Sequence, residues 1–162
     1  MRRHVPPIDL AIDRDLPGQT GRQNHNEIIA SLPLGGNQLT SDIAIGLRTP
    51  INAAEKIKKQ FGCAVISQID QNDTIEVPSV GGRQPRVLSR QILGEIIEPR
   101  MEEILELVKR ELYKSGLYDQ VVSGVVLTGG SALMPGIETL AESVFEMQSR
   151  VGMPQRVGGL LD

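Results

Sequence analysis

The strongest periodic pattern in this 162-residue chain lies between Ser89 and Gly116. Apolar side chains recur there every three or four positions, which predicts an amphipathic helix over residues 90–114. Its apolar stripe consists of Leu93, Ile97, Met101, Ile104, Val108 and Leu112. Ser89 supplies a hydroxyl cap and Gly116 ends the helix, while Pro99 removes one backbone hydrogen bond and predicts a kink.

Two shorter helices are predicted upstream, over residues 37–47 and 51–61. The apolar stripe of the first consists of Leu39, Ile43 and Leu47. Thr49 and Pro50 are typical of a helix start, because a hydroxyl can cap the free N–H groups and proline fits the first turn.

Short runs of β-branched residues predict strands, which are separated by turn residues. The predicted strands are residues 28–34, 64–66, 74–77, 86–88, 121–128 and 150–153. A further helix is predicted from Ser131 to about Phe145. The alternation of strand and helix at the end of the chain favours an α/β sheet covered by helices. The helical middle part, with its small strands, suggests an inserted lobe.

Composition narrows the class of protein. A hydrophobic fraction of 40% is enough for a core, but an aromatic fraction of 2% means that the core is aliphatic. A net charge of −3, without basic residues beside aromatics, argues against a nucleic-acid partner. The single cysteine, Cys63, excludes an internal disulfide, and the two histidines do not suggest a metal site. No apolar run reaches the ~18 residues that a membrane span needs.

Residues 1–26 differ from the rest of the chain. They contain proline, glycine and polar residues without sustained periodicity, so we expect a divergent, disordered leader.

A diglycine turn is the main candidate for ligand binding. The segment VVSGVVLTGGSALMPG, residues 121–136, runs from a β-branched strand through Gly129 and Gly130 into a predicted helix that starts at Ser131 and Ala132. Glycines allow a ligand to approach the backbone, and a helix start offers free N–H groups to a phosphate. A tight turn without a ligand uses the same glycines, so spacing alone leaves both interpretations open.

Glu55, Lys58 and Lys59 form a second candidate site. Their i, i+3 and i+4 spacing puts them on one helix face. Spacing alone favours the simpler interpretation, which is a solvated face with a local ion pair.

Three segments resemble the FtsA family of bacterial cell-division proteins, which belongs to the actin and Hsp70 nucleotide-binding superfamily. They are SDIAIGLRTP, SRQILGEIIEPR and VVLTGGSALMPG, in the family's order and spacing. The diglycine segment is shared across the superfamily, whereas the other two are more particular to FtsA. The resemblance covers the chain from about Ser31 to Asp162.

This resemblance implies an α/β fold, namely an incomplete actin-like (ribonuclease H-like) second lobe with an inserted α+β subdomain IIB. Subdomain IIA would be split between residues 27–46 and 121–162, and residues 47–120 would form IIB. The family carries a DIGGGTTD-like phosphate loop upstream of residue 31, where this chain reads HVPPIDLAIDRDLPGQTGRQNHNEIIA. We therefore expect a fragment, and a frameshifted or internally started reading frame is one hypothesis for its beginning.

The resemblance also implies a function. The family protein binds ATP with Mg²⁺ in a cleft, polymerises, tethers the tubulin-like protein FtsZ to the cytoplasmic face of the inner membrane at the division site, and recruits later divisome proteins. We expect an adaptor rather than an enzyme, with weak hydrolysis at most and poor nucleotide affinity in this fragment, because half of the cleft is absent. The alternatives are an ATPase or sugar kinase of the same superfamily, or a non-functional gene remnant.

The residue roles implied by the resemblance follow the same motifs. Gly129 and Gly130 would approach the ribose and α-phosphate side of the nucleotide, and Ser131 and Ala132 would start the helix beneath it. Glu55 and Lys58 would contact the ribose and base. Arg90 and Arg100 of subdomain IIB are candidates to hold carboxylates of the FtsZ C-terminal peptide. The open alternative for both arginines is pairing with Glu95, Glu98 or Glu103. Asp42 is expected early in its helix, where the helix dipole favours it, and no catalytic or metal-binding residue is assigned.

Overall fold

A computed structural model describes residues 31–152 of the chain. Its helices are α1 (Gly36–Gly46), α2 (Ile51–Phe61), α3 (Arg90–Lys114) and α4 (Ile137–Phe145). Its strands are β1 (Thr74–Val77), β2 (Arg86–Ser89), β3 (Val125–Leu127) and β4 (Ser149–Val151). Short 3₁₀ turns are formed by Ile66–Gln68, Val80–Gly82, Tyr118–Gln120 and Gly130–Leu133. The predicted leader, residues 1–26, lies outside the described residues.

The long helix α3 forms where the pattern predicts it. The Ser89 hydroxyl accepts a hydrogen bond from the Gln91 backbone N–H at 3.3 Å, which confirms the N-cap. All six residues of the predicted stripe are buried. Pro99 lies inside one continuous helix, and the kink stays a prediction.

The strands form two separate pairs. β1 and β2 are antiparallel, with Ile75 opposite Leu88. β3 and β4 are parallel, with Val126 opposite Arg150, and α4 lies between them in the chain. Because a parallel pair needs such a crossover, this region has the predicted α/β arrangement.

The predicted strand over residues 64–66 is wrong. The backbone N–H of Ala64 donates to the Pro135 carbonyl at 2.8 Å, and that of Ile66 donates to the Glu98 carboxylate at 2.6 Å. These donors are used by a loop and a side chain instead of a sheet ladder. The predicted strand over residues 28–34 is not seen in residues 31–34, and the remainder lies outside the described residues.

The predicted helix from Ser131 is also wrong at its start. Gly130–Leu133 is a 3₁₀ turn, and α4 begins only at Ile137. Gly136 adopts φ 81°, a left-handed conformation that cannot continue a right-handed helix from the turn into α4. The two elements are therefore separate.

Two smaller predictions need correction. The Thr49 hydroxyl does not cap α2, because it donates to the Pro78 carbonyl at 2.6 Å, and Pro50 occupies the N-cap position. Strand β3 is shorter than the predicted residues 121–128. Gly124, at φ 84°, precedes it in a conformation that an extended strand does not use.

One hydrophobic core joins α1, α2, α3, α4, β1 and β3; it is mostly aliphatic, as predicted, but also contains the aromatic Phe145. Its largest fully buried side chains include Phe145, Leu39 and Ile97. Gly94 allows α3 to pack closely on the 3₁₀ turn Ile66–Gln68 and the residue that follows it, since a Cβ on Gly94 would lie 2.7 Å from Ile69 Cδ1. Helix α3 contacts both α1 and α4.

Two isoleucines of α3 test this packing. We expect Ile97→Ala, at a fully buried position, to lower the free energy of unfolding by about 3 kcal/mol, because it leaves a cavity. Ile92→Ala on the same helix is the matched control, since its side chain is 39% exposed and its loss costs less than about 1 kcal/mol. Urea denaturation followed by circular dichroism measures both, and equal losses would contradict the packing described.

Candidate functional site

The diglycine turn follows β3 and borders open space. Gly129 has φ 95° and ψ 179°, a conformation that favours glycine. Both Gly129 and Gly130 are exposed, and a Cβ on either would meet no described atom within 4 Å. Ser131 and Ala132 continue into the 3₁₀ turn, with Ala132 buried. The turn thus leaves its backbone exposed, as a ligand-binding turn requires, although a tight turn without a ligand would need Gly129 as well.

The N-terminus of α1 lies directly against this turn. A Cβ placed on Gly36 would lie 2.9 Å from Ser131 Oγ and 3.5 Å from Lys58 Nζ. Lys58 Nζ also donates to the Gly36 carbonyl at 2.9 Å. The structure therefore brings together the diglycine turn and the α2 lysine, which are far apart in the sequence. Gly36 is a site residue that sequence reasoning missed, and the signal for it in the sequence is another diglycine, Gly35–Gly36.

Glu55 and Lys58 form the charged part of the site. Lys58 Nζ lies 2.6 Å from Glu55 Oε2, and Lys59 Nζ lies 3.2 Å from Glu55 Oε1. The predicted common face is confirmed, and so is the local ion pair. The two lysines differ in burial, because the Lys58 side chain is 11% exposed and that of Lys59 is 70% exposed. Lys58 is held in the site, whereas Lys59 lies at its rim.

Thr40 of α1 joins this pair. Its hydroxyl lies 2.5 Å from Glu55 Oε2 and 2.7 Å from Lys58 Nζ. Partial burial raises the pKa of Glu55, but hydrogen bonds from Lys58, Thr40 and Lys59 outweigh it and lower the pKa from 4.5 to about 2. The Glu55 carboxylate is therefore charged at neutral and mildly acidic pH.

Arg90 is engaged within the fold. Its Nε donates to the Phe61 carbonyl at 2.9 Å, and its Nη1 lies 2.9 Å from the Asp73 carboxylate. Its partner is thus Asp73, and none of the three glutamates proposed from the sequence pairs with it in these contacts. Arg90 thus links the N-terminus of α3 to the C-terminus of α2 by a hydrogen bond.

Arg100 bridges two helices. It donates to Asp42 of α1 at 2.5 Å and to Glu103 of α3 at 2.5 Å. Pairing with Glu103 confirms one of the proposed alternatives. The hydrogen bond to Asp42 raises the pKa of the guanidinium. Asp42 lies in the middle of α1, not in its first turn, so an ion pair rather than the helix dipole explains its position.

An open cavity of about 450 Å³ is lined by the end of the 3₁₀ turn Gly130–Leu133 and the start of α4. Gln68, Leu133, Gly136 and Thr139 are among its lining residues, and Ala132 is the predicted site residue that it shares. Within residues 31–152, no three His, Cys, Asp or Glu side chains are grouped to hold a metal ion. Over the same residues, no helix is long and apolar enough to cross a membrane.

A family model described as cell division protein FtsA matches residues 19–161. The chain belongs to the FtsA family. The match begins inside the segment predicted to be a leader, at residues outside the described part of the chain.

Individual FtsA relatives agree with this assignment. The chain is 49% identical to FtsA of Pseudomonas aeruginosa over 133 residues, which is 82% of this chain and 32% of that protein. It is 44% identical to FtsA of Escherichia coli K12 over 149 residues, 88% of this chain and 35% of that protein. It is 43% identical to FtsA of Bacillus subtilis over 127 residues, which is 78% of this chain and 29% of that protein. The chain thus spans about a third of the length of the curated relatives it matches.

Two solved structures share the fold. MreB5 of Spiroplasma citri bound to ADP matches with a TM-score of 0.60 at 19% identity, over 78% of this chain and 42% of that one. The same protein bound to AMPPNP matches with a TM-score of 0.61 at 20% identity, over 76% of this chain and 40% of that one. The prediction of a partial actin-like lobe is confirmed.

The low pKa of Glu55 predicts how stability changes with pH. Because the folded-state pKa of about 2 lies below the ordinary 4.5, the stabilisation from Glu55 is complete above pH 4.5 and is lost as pH falls toward 2. We expect the difference in free energy of unfolding between wild type and Glu55→Gln to narrow on acidification. Urea denaturation at several pH values measures it.

Gln60→Ala is the control for that experiment, because Gln60 is exposed on the same helix and does not titrate. Its difference from wild type should not depend on pH. A Glu55→Gln difference that is equally constant would show that the ion pair does not form in solution.

Proposed function

We propose that this chain is part of a cell-division adaptor that binds ATP through the cluster of Gly36, Glu55, Lys58 and the turn at Gly129–Ala132. The observation that carries the proposal is the convergence of these segments in a chain of the FtsA family. Two of them, the charged face of α2 and the diglycine turn, are separate candidate sites in the sequence about 70 positions apart, yet Lys58 and Ser131 both lie beside Gly36. The MreB5 structures of the same fold are described as bound to ADP and to AMPPNP, which supports an adenine nucleotide.

The chemistry of the cluster suits the adenosine side of a nucleotide. The charged carboxylate of Glu55 accepts hydrogen bonds, as a ribose hydroxyl would require. The Lys58 ammonium and the exposed backbone at Gly129 and Gly130 offer donors to ribose or phosphate oxygens. We propose that the role of this chain is to bind the nucleotide, with weak hydrolysis at most. Mg²⁺ would enter with the nucleotide.

The two lysines of α2 provide a matched test of nucleotide binding. We expect Lys58→Met to weaken binding of Mg-ATP about tenfold, because a partly buried charge-assisted donor is lost. Lys59→Met should change the affinity by less than about twofold, since an exposed charge contributes little. Isothermal titration calorimetry on the native polypeptide that contains this chain measures both. Equal effects, or no binding by the wild type, would contradict the proposed site.

We further propose that the surface around Arg100 binds the acidic C-terminal peptide of FtsZ. Arg100 shares its guanidinium between Asp42 and the more exposed Glu103, whose side chain is 53% exposed. A peptide carboxylate can replace Glu103 while Asp42 keeps the arginine oriented. Ile45 lies one turn from Asp42 on α1 and is 76% exposed, so apolar surface borders the charge. Arg90 is the weaker candidate, because both of its contacts hold α3 in place.

Arginine substitutions on α3 test this surface. We expect Arg100→Gln to weaken binding of a labelled FtsZ C-terminal peptide about tenfold, because a charge-assisted contact to a carboxylate is lost. Arg110→Gln removes an exposed arginine of the same helix and should weaken it less than about twofold. Fluorescence anisotropy measures both affinities. Similar losses in the two variants would place the peptide elsewhere.

The wider role of the adaptor follows the family. In the intact protein we propose self-association into actin-like filaments, attachment of FtsZ to the cytoplasmic membrane at the division site, and recruitment of later divisome proteins. The FtsA family assignment and the actin-like fold support this role over a sugar kinase.

A further inference from the structure

A single buried hydroxyl connects α1 to the charged pair of α2. Thr40 is 5% exposed, and its Oγ1 lies within hydrogen-bond distance of Glu55 and Lys58. It also lies 2.8 Å from the carbonyl of Gly36, one turn earlier in α1. Threonine in a helix often donates to that carbonyl, so this contact alone would be unremarkable.

The number of protons decides how these contacts are used. A hydroxyl has one proton to donate and can accept in addition. Lys58 Nζ donates to the Gly36 carbonyl at 2.9 Å and to Thr40 Oγ1 at 2.7 Å. The Thr40 proton has two acceptors within reach, the Gly36 carbonyl at 2.8 Å and the charged Glu55 oxygen at 2.5 Å, and it goes to the carboxylate because that acceptor is the nearer and the stronger. Thr40 therefore accepts from the lysine and donates to the carboxylate.

Without this bridge, the carboxylate would have a second choice. Glu55 also contacts the exposed Lys59, at 3.2 Å. If the hydroxyl were absent, Glu55 would be free to turn toward Lys59 and solvent, and Lys58 would keep only Gly36 and a movable partner. Threonine suits the task, because a β-branched side chain in a helix has few χ1 rotamers and holds its hydroxyl in place.

We propose that Thr40 is a positioning residue, which fixes Glu55 and Lys58 in the orientation in which they lie beside Gly36 and the Ser131 turn. The consequence for affinity rests on the nucleotide-binding function proposed above, whereas the positioning itself does not. Thr40 would touch no ligand; it would act only through the two charged side chains.

Three variants of α1 test the proposal. Thr40→Val has nearly the same shape without the hydroxyl, and Thr40→Ser keeps the hydroxyl. Ser41→Ala removes an exposed hydroxyl one residue further, which bonds only to the Asn37 carbonyl in the described contacts. The first readout is the pKa of the Glu55 carboxyl by carbon-13 NMR titration, and the second is the affinity for Mg-ATP of the native polypeptide that contains this chain.

In Thr40→Val we expect the pKa of Glu55 to rise from about 2 toward 4.5, and nucleotide affinity to fall about five- to tenfold, the effect of one hydrogen bond. Thr40→Ser and Ser41→Ala should leave both near the wild-type values. A purely structural role of Thr40 would lower stability without moving the Glu55 titration.

An unchanged Glu55 titration in Thr40→Val would overturn the proposal, as would an equal shift in Ser41→Ala. If wild type binds no nucleotide, the proposed function fails, but the titration still decides the positioning role. Should Thr40→Val not fold, Thr40→Ala compared with Thr40→Ser makes the same test, because the two differ chiefly in the hydroxyl.

Discussion

The packing of α1 and α4 against the apolar stripe of α3 is the interaction on which the rest of the structure depends. Each of the two strand pairs is too small to be stable alone. Helix α3 connects them, since its N-terminus continues from β2 while its stripe contacts α4, which joins β3 to β4. The candidate site is assembled from α1 and α2, which precede this helix in the chain, and from the turn at Gly129–Ala132, which follows it. Its geometry is therefore a product of the core rather than of any local motif.

The two interpretations of the charged face of α2, a local ion pair and a ligand-binding site, are compatible. Glu55 and Lys58 already satisfy each other and the neighbouring Thr40, yet they lie beside the exposed turn at Gly129. A charged pair held in this way is preorganised, so a ligand that exchanges one of its hydrogen bonds pays little to order the site. Arg100 is preorganised in the same way, because its ion pair with Asp42 of α1 holds the guanidinium in one orientation.

Features encoded by neighbouring residues could be predicted from the sequence, whereas features made by distant ones could not. The bounds of α3 follow from a cap, a stripe and a terminal glycine, and the Glu55–Lys58 pair follows from helical spacing. The Arg100–Asp42 pair joins residues 58 positions apart, and nothing in the local pattern marks it. Gly36 and Thr40 were missed for the same reason, because their partners lie on α2 and in the turn at Ser131. Residues 64–66 were predicted as a strand from their apolar side chains. In the structure the backbone N–H groups of Ala64 and Ile66 donate to a loop carbonyl and a side-chain carboxylate instead of a neighbouring strand.

We propose that α1, α2 and the diglycine turn together form one nucleotide site. The direct test is amide chemical-shift mapping by NMR during titration with Mg-ATP. We expect the amides of Gly36, Lys58, Gly130 and Ser131 to shift together along one saturation curve. Shifts confined to the cavity beside Leu133, or no shifts at millimolar nucleotide, would contradict it.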